Sequence, residues 1–351
     1  MPATRLAPPR PLHRAARVED AVRGVLNRIL VRRGWRPRVL AYTGYGTQDW
    51  VRVLARVVLA PPGTRRHHLT ARRGWRRFFT APCSAGVPVT IDVGGRRHEV
   101  HSARGGYVDV VLPASLPAGT AKAEVGIAGG SACEALLSIV GPGTRTGIVS
   151  DIDDTVMITA LPRPLLAFWN TFMRVETART PVPGMAELYR RLLAQDPNTP
   201  VIYLSTGPWN IAPALDAFLE RNGFPPGPLL LTDWGPTPDA WFRSGQEHKR
   251  TQLRRLMREL PDLGWILVGD DGQHDPALYA EVVAAFPGRV RTVAIRQLSA
   301  LEQVLTHGTT EPLPDAPSTA TAAAAEVHEV RAPDGDGLVA ALRERGVLPR
   351  A

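Results

Sequence analysis

From Thr146 to about Ser299, short apolar runs alternate with segments of helical periodicity, and this alternation restricts the fold more than any other feature. The strand candidates are 147–151, 201–205, 229–232, 265–269 and 290–295. The helix candidates between them are 185–195, 210–222, 247–260 and 274–286. Helix 210–222 places Ile211, Leu215, Phe218 and Leu219 on one face and stops at Gly223. Apolar runs without polar alternation belong to strands buried on both faces, so the pattern predicts a parallel sheet with helices on both faces. In such sheets ligands bind beyond the carboxyl ends of the strands, which is where to look for chemistry.

The preceding region reads differently. Residues 37–140 carry short β-branched runs such as 51–59 and 87–93. Turn signals at Pro61-Pro62-Gly63, Gly94-Gly95, Gly105-Gly106 and Gly129-Gly130 separate them. This spacing predicts an all-β sandwich domain. His67-His68 lie among arginines and read as surface residues. His98 and His101 are one residue too close for the helical zinc motif. Gly141-Pro142-Gly143 is the linker to the α/β domain. The full division is a basic segment at 1–36, a β-sandwich at 37–140, an α/β domain at 146–305 and a mostly disordered tail at 306–351. A short helix is allowed at 336–345.

Charge is distributed unevenly. Residues 1–80 hold 18 Arg and 3 acids, a charge of +15, and the other residues carry −6. A basic segment of this kind meets phosphate, on nucleic acid or on an anionic membrane surface. Within it, 14–33 reads as one helix. Val18, Val22, Val25, Leu26, Ile29 and Leu30 recur at helical spacing, with Arg14, Arg17, Arg23, Arg28, Arg32 and Arg33 around them and Gly34 as a stop. Such a helix lies on a membrane or packs on the body, and the residues leave both open. No apolar run approaches 18 residues and no signal-peptide pattern opens the chain. Cys83 and Cys133 are too few for a disulfide scaffold. The expected location is cytoplasmic, with a peripheral place at the inner face of the membrane if the helix lies on one.

The chemistry collects at the predicted strand ends. The first strand runs into Ser150-Asp151-Ile152-Asp153-Asp154-Thr155, and carboxylates at this density repel unless a cation or proton intervenes. The second ends in Tyr203-Leu204-Ser205-Thr206-Gly207, where a hydroxyl and backbone amides at a helix start suit an anion. His248-Lys249 places one of only two lysines at the start of the 247–260 helix, as a point charge for phosphate. The fourth strand ends in Gly269-Asp270-Asp271-Gly272-Gln273-His274-Asp275-Pro276. Oxygen-only clusters of this type suit Mg²⁺, and the sum reads as metal-assisted phosphoryl transfer to an aspartate. No P-loop, nucleophile elbow or dinucleotide fingerprint is present.

Taken together, these motifs resemble the haloacid dehalogenase (HAD) superfamily, with its Rossmannoid parallel sheet. More closely, they resemble the catalytic domain of bacterial phosphatidate phosphatases of the actin-patch protein type. The residues that carry this are Asp151 to Thr155, Pro181-Val182-Pro183-Gly184-Met185 with Glu187-Leu188-Tyr189, Leu204 to Asn210, His248-Lys249 and Val268 to Pro276, with Gly44-Tyr45-Gly46 upstream.

The resemblance implies Mg²⁺-dependent hydrolysis of phosphatidate, or a related lipid phosphate, to diacylglycerol and phosphate. Asp151 would be the nucleophile that forms an aspartyl-phosphate, and Asp153 the acid–base. Thr155, Ser205, Thr206 and Lys249 would bind phosphate. Asp151, Asp153 and Asp270 would hold the metal, Asp153 through its backbone, with Asp275 in support. Relatives commonly carry serine where this chain has Asp271, an extra carboxylate that either tightens metal binding or weakens phosphate binding. The insertion at 156–180 holds Leu165, Leu166, Phe168, Trp169, Phe172 and Met173. It reads as an apolar cap suited to a lipid phosphate, or as a helix in the core. The alternative substrates are soluble or nucleic-acid phosphomonoesters, and a binding protein with a vestigial site is the third reading. No protein partner is inferable.

Overall fold

The computed structural model describes residues 24–25, 27–61, 86–128, 130, 132–158, 180–232, 238–272, 274–307 and 327–350. Residues 159–179 of the apolar insertion that reads as a cap, and Cys83, lie outside them. The N-terminal half forms one seven-stranded sheet in the order β4-β3-β6-β7-β1-β2-β5. The strands are β1 (Arg36–Thr47), β2 (Trp50–Ala60), β3 (Pro88–Val93), β4 (Arg96–His101), β5 (Tyr107–Pro113), β6 (Gly119–Ile127) and β7 (Cys133–Val140). Where two facing sheets were expected, a single sheet curls until its edge strands β4 and β5 touch.

A bulge between Tyr42 and Tyr45 supplies part of the bend. Glycines flank it: a Cβ on Gly44 would lie 2.2 Å from the Arg52 carbonyl oxygen, and one on Gly46 2.2 Å from that of Trp50. Gly44-Tyr45-Gly46 is therefore a demand of strand packing. Cys133 is buried in this domain.

Strand β2 explains why 51–59 is apolar without alternation. Its odd-numbered residues Val51, Val53, Ala55 and Val57 enter the core of the β-domain. Leu54, Val58 and Ala60, on the opposite face, enter a second core shared with the α/β half, together with Leu40, Tyr42 and Tyr45. Side chains alternate faces along a strand, so a strand between two cores is apolar on both.

The second sheet is parallel throughout, in the order β10-β9-β8-β11-β12-β13. It comprises β8 (Thr146–Asp151), β9 (Val201–Pro208), β10 (Leu229–Thr232), β11 (Gly264–Asp270), β12 (Val290–Arg296) and β13 (His328–Ala332). The helices are α1 (Met185–Leu193), α2 (Ala212–Arg221), α3 (Pro238–Glu259), α4 (Asp275–Ala285), α5 (Ala300–His307) and α6 (Gly335–Glu344). From β8 the chain builds outward to β10 on one side. It then returns to build β11, β12 and β13 on the other. The reversal at β8 opens a crevice beyond the ends of β8 and β11.

Two expectations change. The tail is not mostly disordered, because β13 extends the sheet beside β12 and α6 packs on α1. Composition hid this, since the Ala-, Thr- and Pro-rich stretch before β13 dominates the segment. Helix α3 also begins nine residues earlier than predicted, so Lys249 sits mid-helix and does not open it.

At the N-terminus, residues 24–25 and 27–32 are helical, and Gly34 (φ 84°) ends the turn as expected. Val25 and Ile29 are 48% and 41% exposed beside exposed Arg28 and Arg32. Val18, Val22 and Leu26 lie outside the described residues. No described helix is long and apolar enough to cross a membrane.

The tail is anchored where Gly335 meets Gly184. The Gly335 amide donates to the Pro183 carbonyl at 2.9 Å, and a Cβ on Gly335 would lie 2.1 Å from the Gly184 carbonyl carbon. Gly335→Ala is expected to cost roughly 1–3 kcal/mol, the range for overpacking. Urea unfolding measures this, and an unchanged midpoint would show that the contact does not hold the tail.

Candidate active site

Strand β8 delivers Asp151 at its last position, and the chain then turns sharply. The Val156 and Met157 amides donate to the Ile152 carbonyl, and the Asp154 amide donates to the Met157 carbonyl at 2.8 Å. Asp154 takes φ 58°, a left-handed conformation that aspartate tolerates better than most side chains. Arg296, buried at the end of β12, donates to the Asp154 carbonyl at 2.8 Å and to the Pro333 carbonyl at 3.1 Å. It also pairs with Glu302. Sequence reading missed this residue, although an arginine closing an apolar strand was a usable signal. Arg296 ties the acid-rich turn to the recovered C-terminal segment.

At the crevice, Lys249 Nζ lies 2.7 Å from both Asp151 Oδ1 and Asp275 Oδ1. All three residues and Asp270 are buried. Carboxylate oxygens of Asp151, Asp270 and Asp275 lie within 4.8 Å of one another. Burial is the largest effect raising the Asp151 carboxyl well above the ordinary range. Lys249 opposes it, while Asp275 and Asp153 reinforce it. Asp270 is raised in the same way, first by burial and then by Asp275 and Asp151. Lys249 is held protonated by Asp151 and Asp275 against the cost of its own burial. Its place in mid-helix follows from this pairing, since α3 carries it past the ends of β8 and β11.

If all three carboxyls ionise, they exceed the one ammonium by two negative charges, and a divalent cation would offset the burial that otherwise favours their protonated forms. Asp151 Oδ2 and Asp275 Oδ2 accept no hydrogen bond among the described residues. The donor set is all oxygen, so these residues fit a hard divalent metal.

Asp153 stands apart from that set. Its Oδ2 accepts a hydrogen bond from Ser205 Oγ at 3.0 Å, and its carboxylate is not one of the three clustered acids, which leaves only its backbone for the metal role expected from sequence. Ser205 Oγ also accepts from the Gly207 amide at 2.9 Å, which turns the end of β9. Thr206 is placed through its carbonyl, which accepts from Thr232 Oγ1 at 2.8 Å. Thr155 Oγ1 faces Asp270 Oδ2 at 3.5 Å, so it supports the acid. His248 bonds the Leu230 carbonyl at 3.4 Å, and burial pushes its imidazole down to about 4, so it is neutral at physiological pH. Tyr189 and Ser150 bond one another beneath β8.

The two adjacent acids after β11 diverge. Asp270 Oδ1 accepts from the Gly272 amide at 2.8 Å, with Oδ2 toward Thr155. Asp271 turns the other way. Its Oδ1 accepts from the Leu298 amide at 2.8 Å and from Gln303 Nε2 at 2.9 Å, fastening the loop that leads into α5. The extra carboxylate is a structural acceptor outside the cluster of Asp151, Asp270 and Asp275.

Residues 146–297, which include β8 to β12 and every one of these acids, match the family model described as phosphatidate phosphatase APP1, catalytic domain. Over 152 residues the chain is 28% identical to an uncharacterized protein of Schizosaccharomyces pombe. Over 151 residues it is 24% identical to phosphatidate phosphatase APP1 of Saccharomyces cerevisiae. Each alignment covers 43% of this chain and 25% of the relative, so the match spans a quarter of those proteins' length. These matches liken the α/β half to a phosphatidate phosphatase catalytic domain. Among solved structures, a carbohydrate acetylesterase from Xanthomonas citri overlaps 78% of this chain and 73% of its own, at 11% identity and a TM-score of 0.28. That superposition is too loose to relate the two folds.

The geometry separates the two neighbouring acids experimentally. Asp270→Asn is expected to cost at least the roughly 10–100-fold in metal affinity or activity that loss of an outer-shell partner costs. Asp271→Asn keeps an acceptor for Leu298 and Gln303, so it should lower stability by about 1 kcal/mol and turnover by less than about tenfold. Metal-binding calorimetry and initial rates on both variants check this. Equal losses would bring Asp271 back into the metal site.

Proposed function

We propose that the α/β half is a Mg²⁺-dependent phosphatidate phosphatase with the site chemistry of the HAD superfamily. The observation that carries this reading is the buried group of Lys249, Asp151, Asp270 and Asp275 at the ends of β8 and β11. It lies within the segment that matches a phosphatidate phosphatase family.

In this reading Asp151 attacks phosphorus, the bond from phosphorus to the glycerol oxygen breaks, and Asp153 gives its proton to the leaving oxygen. Asp153 then takes a proton from water, and the water oxygen attacks phosphorus, returning the Asp151 carboxylate and freeing phosphate. Ser205 orients Asp153 through its 3.0 Å bond. Ser205 and Lys249 are the donors beside the two reacting acids and would receive the phosphoryl oxygens. Asp151, Asp270 and Asp275 would hold Mg²⁺, which when bound neutralises charge on the phosphoryl group.

The test is phosphate release from phosphatidate vesicles and from phosphorylated oligonucleotides, with and without Mg²⁺. Asp151→Asn should abolish turnover in a folded protein, and Asp153→Asn should lower it by roughly 10²–10⁴-fold. Chelation should stop the reaction and Mg²⁺ restore it. Restoration by Zn²⁺ alone, or preference for the oligonucleotide, would count against the metal or the lipid substrate respectively.

The basic N-terminal segment would bring the enzyme to its substrate. Val25 and Ile29 are exposed next to Arg28 and Arg32, an arrangement suited to an anionic membrane surface. Each arginine near such a surface contributes about 1 kcal/mol. Removing residues 1–33 should weaken sedimentation with anionic vesicles, most at low salt, and lower activity on vesicles. It should spare activity on a soluble short-chain phosphatidate. Equal sedimentation of both forms would mean that this segment serves the body of the protein and not a membrane.

A further inference from the structure

The β-domain touches both elements that carry the phosphate-facing donors. On the first, Trp209 follows Ser205 by four residues and is buried against β1. The Tyr42 ring lies 4.7 Å from the Trp209 ring, and its hydroxyl donates to the Trp209 carbonyl at 3.5 Å. Tyr107 of β5 lies 6.3 Å from the same indole, and Arg56 covers the Tyr107 ring at 4.6 Å.

On the second element, Glu259 ends the helix that carries Lys249. Tyr45 Oη donates to Glu259 Oε2 at 2.8 Å, and Arg52 Nε donates to the same oxygen at 3.2 Å. Arg52 also pairs with Glu259 Oε1 and with Asp109, and Arg255 of α3 reaches Asp109 at 2.9 Å. Arg52 is only 8% exposed, so its pair with Glu259 is partly shielded from solvent and holds position more firmly than a surface pair, whereas Asp109 is exposed. Strand β2, with Leu54 in the shared core, joins the two contacts.

We infer that the β-domain is a brace that sets the separation of Ser205 and Lys249, with Tyr42 and Glu259 as positioning residues. This rests on the assignment of Ser205 and Lys249 to phosphate. A domain that merely tethers or recruits the enzyme would need no contact with these two elements. Misplacement of a reacting group by about 1 Å can cost roughly 10²-fold in rate, so a brace on both donors acts directly on catalysis.

The experiment compares Tyr42→Ala, Tyr42→Phe, Glu259→Gln and Val125→Ala in the full chain with Mg²⁺. Val125 is buried in the β-domain core and serves as a control for lost stability alone. Three quantities are read: kcat and KM on p-nitrophenyl phosphate, the dissociation constant of inorganic phosphate by calorimetry, and the melting temperature. Tyr42→Ala and Glu259→Gln should weaken phosphate and lower kcat/KM, by up to roughly 10²-fold. Tyr42→Phe keeps the ring and should restore most of both. Val125→Ala should lower the melting temperature and leave both constants alone.

Folded Tyr42→Ala with wild-type constants overturns the brace, as does Val125→Ala reducing them equally. If Tyr42→Ala does not fold, Glu259→Gln decides on the same criteria. Wild-type protein that hydrolyses p-nitrophenyl phosphate but not phosphatidate overturns the lipid substrate and leaves the brace standing. Wild-type protein that binds no phosphate overturns the brace.

Discussion

The ammonium of Lys249 between Asp151 and Asp275 is the interaction on which the α/β half depends. These groups come from three elements, β8, α3 and α4, and each is buried. Removing one partner from such a set leaves charge without compensation in a low-dielectric interior, which costs far more than a surface pair. The crevice at the chain reversal is therefore tied electrostatically from both sides. It gathers three carboxyl groups around one lysine, more than that lysine balances once they ionise, and this makes it a metal-binding candidate.

Around this centre the acids have different tasks because their surroundings differ. Asp151 and Asp270 point into the cluster, Asp153 faces Ser205, Asp154 turns the chain, and Asp271 anchors the loop before α5. Five carboxylates in two short runs look alike in sequence. Backbone direction at each strand end sorts them, since neighbouring side chains leave an extended chain on opposite sides.

The two halves of the molecule share a core. Strand β2 faces the β-domain with one set of side chains and the α/β half with the other. The partly buried Arg52–Glu259 pair and the ring contact of Tyr42 with Trp209 add directional contacts to that apolar seam. Apolar burial alone would allow sliding. Hydrogen-bonded ions and ring contacts select one position.

The sequence by itself determined the parallel sheet, because continuous apolar runs alternating with amphipathic helices have few other ways to be buried. The five core strands and the acid-rich ends of β8 and β11 were legible for the same reason: the pattern is local. Only the tertiary structure decided which acids meet. The separate direction of Asp153, the outward turn of Asp271 and the mid-helix place of Lys249 all depend on where distant segments arrive. The single curled sheet in place of a sandwich depends on which strands pair, and residue alternation is the same for either. Strand β13 was lost in a low-complexity composition, while helix α6 lies where a short helix was allowed at 336–345. Both are held in place because β12 offers a free edge and Gly184 leaves room for Gly335. Arg296 matters only once the chain has brought Asp154, Pro333 and Glu302 around it, a convergence that no local pattern encodes.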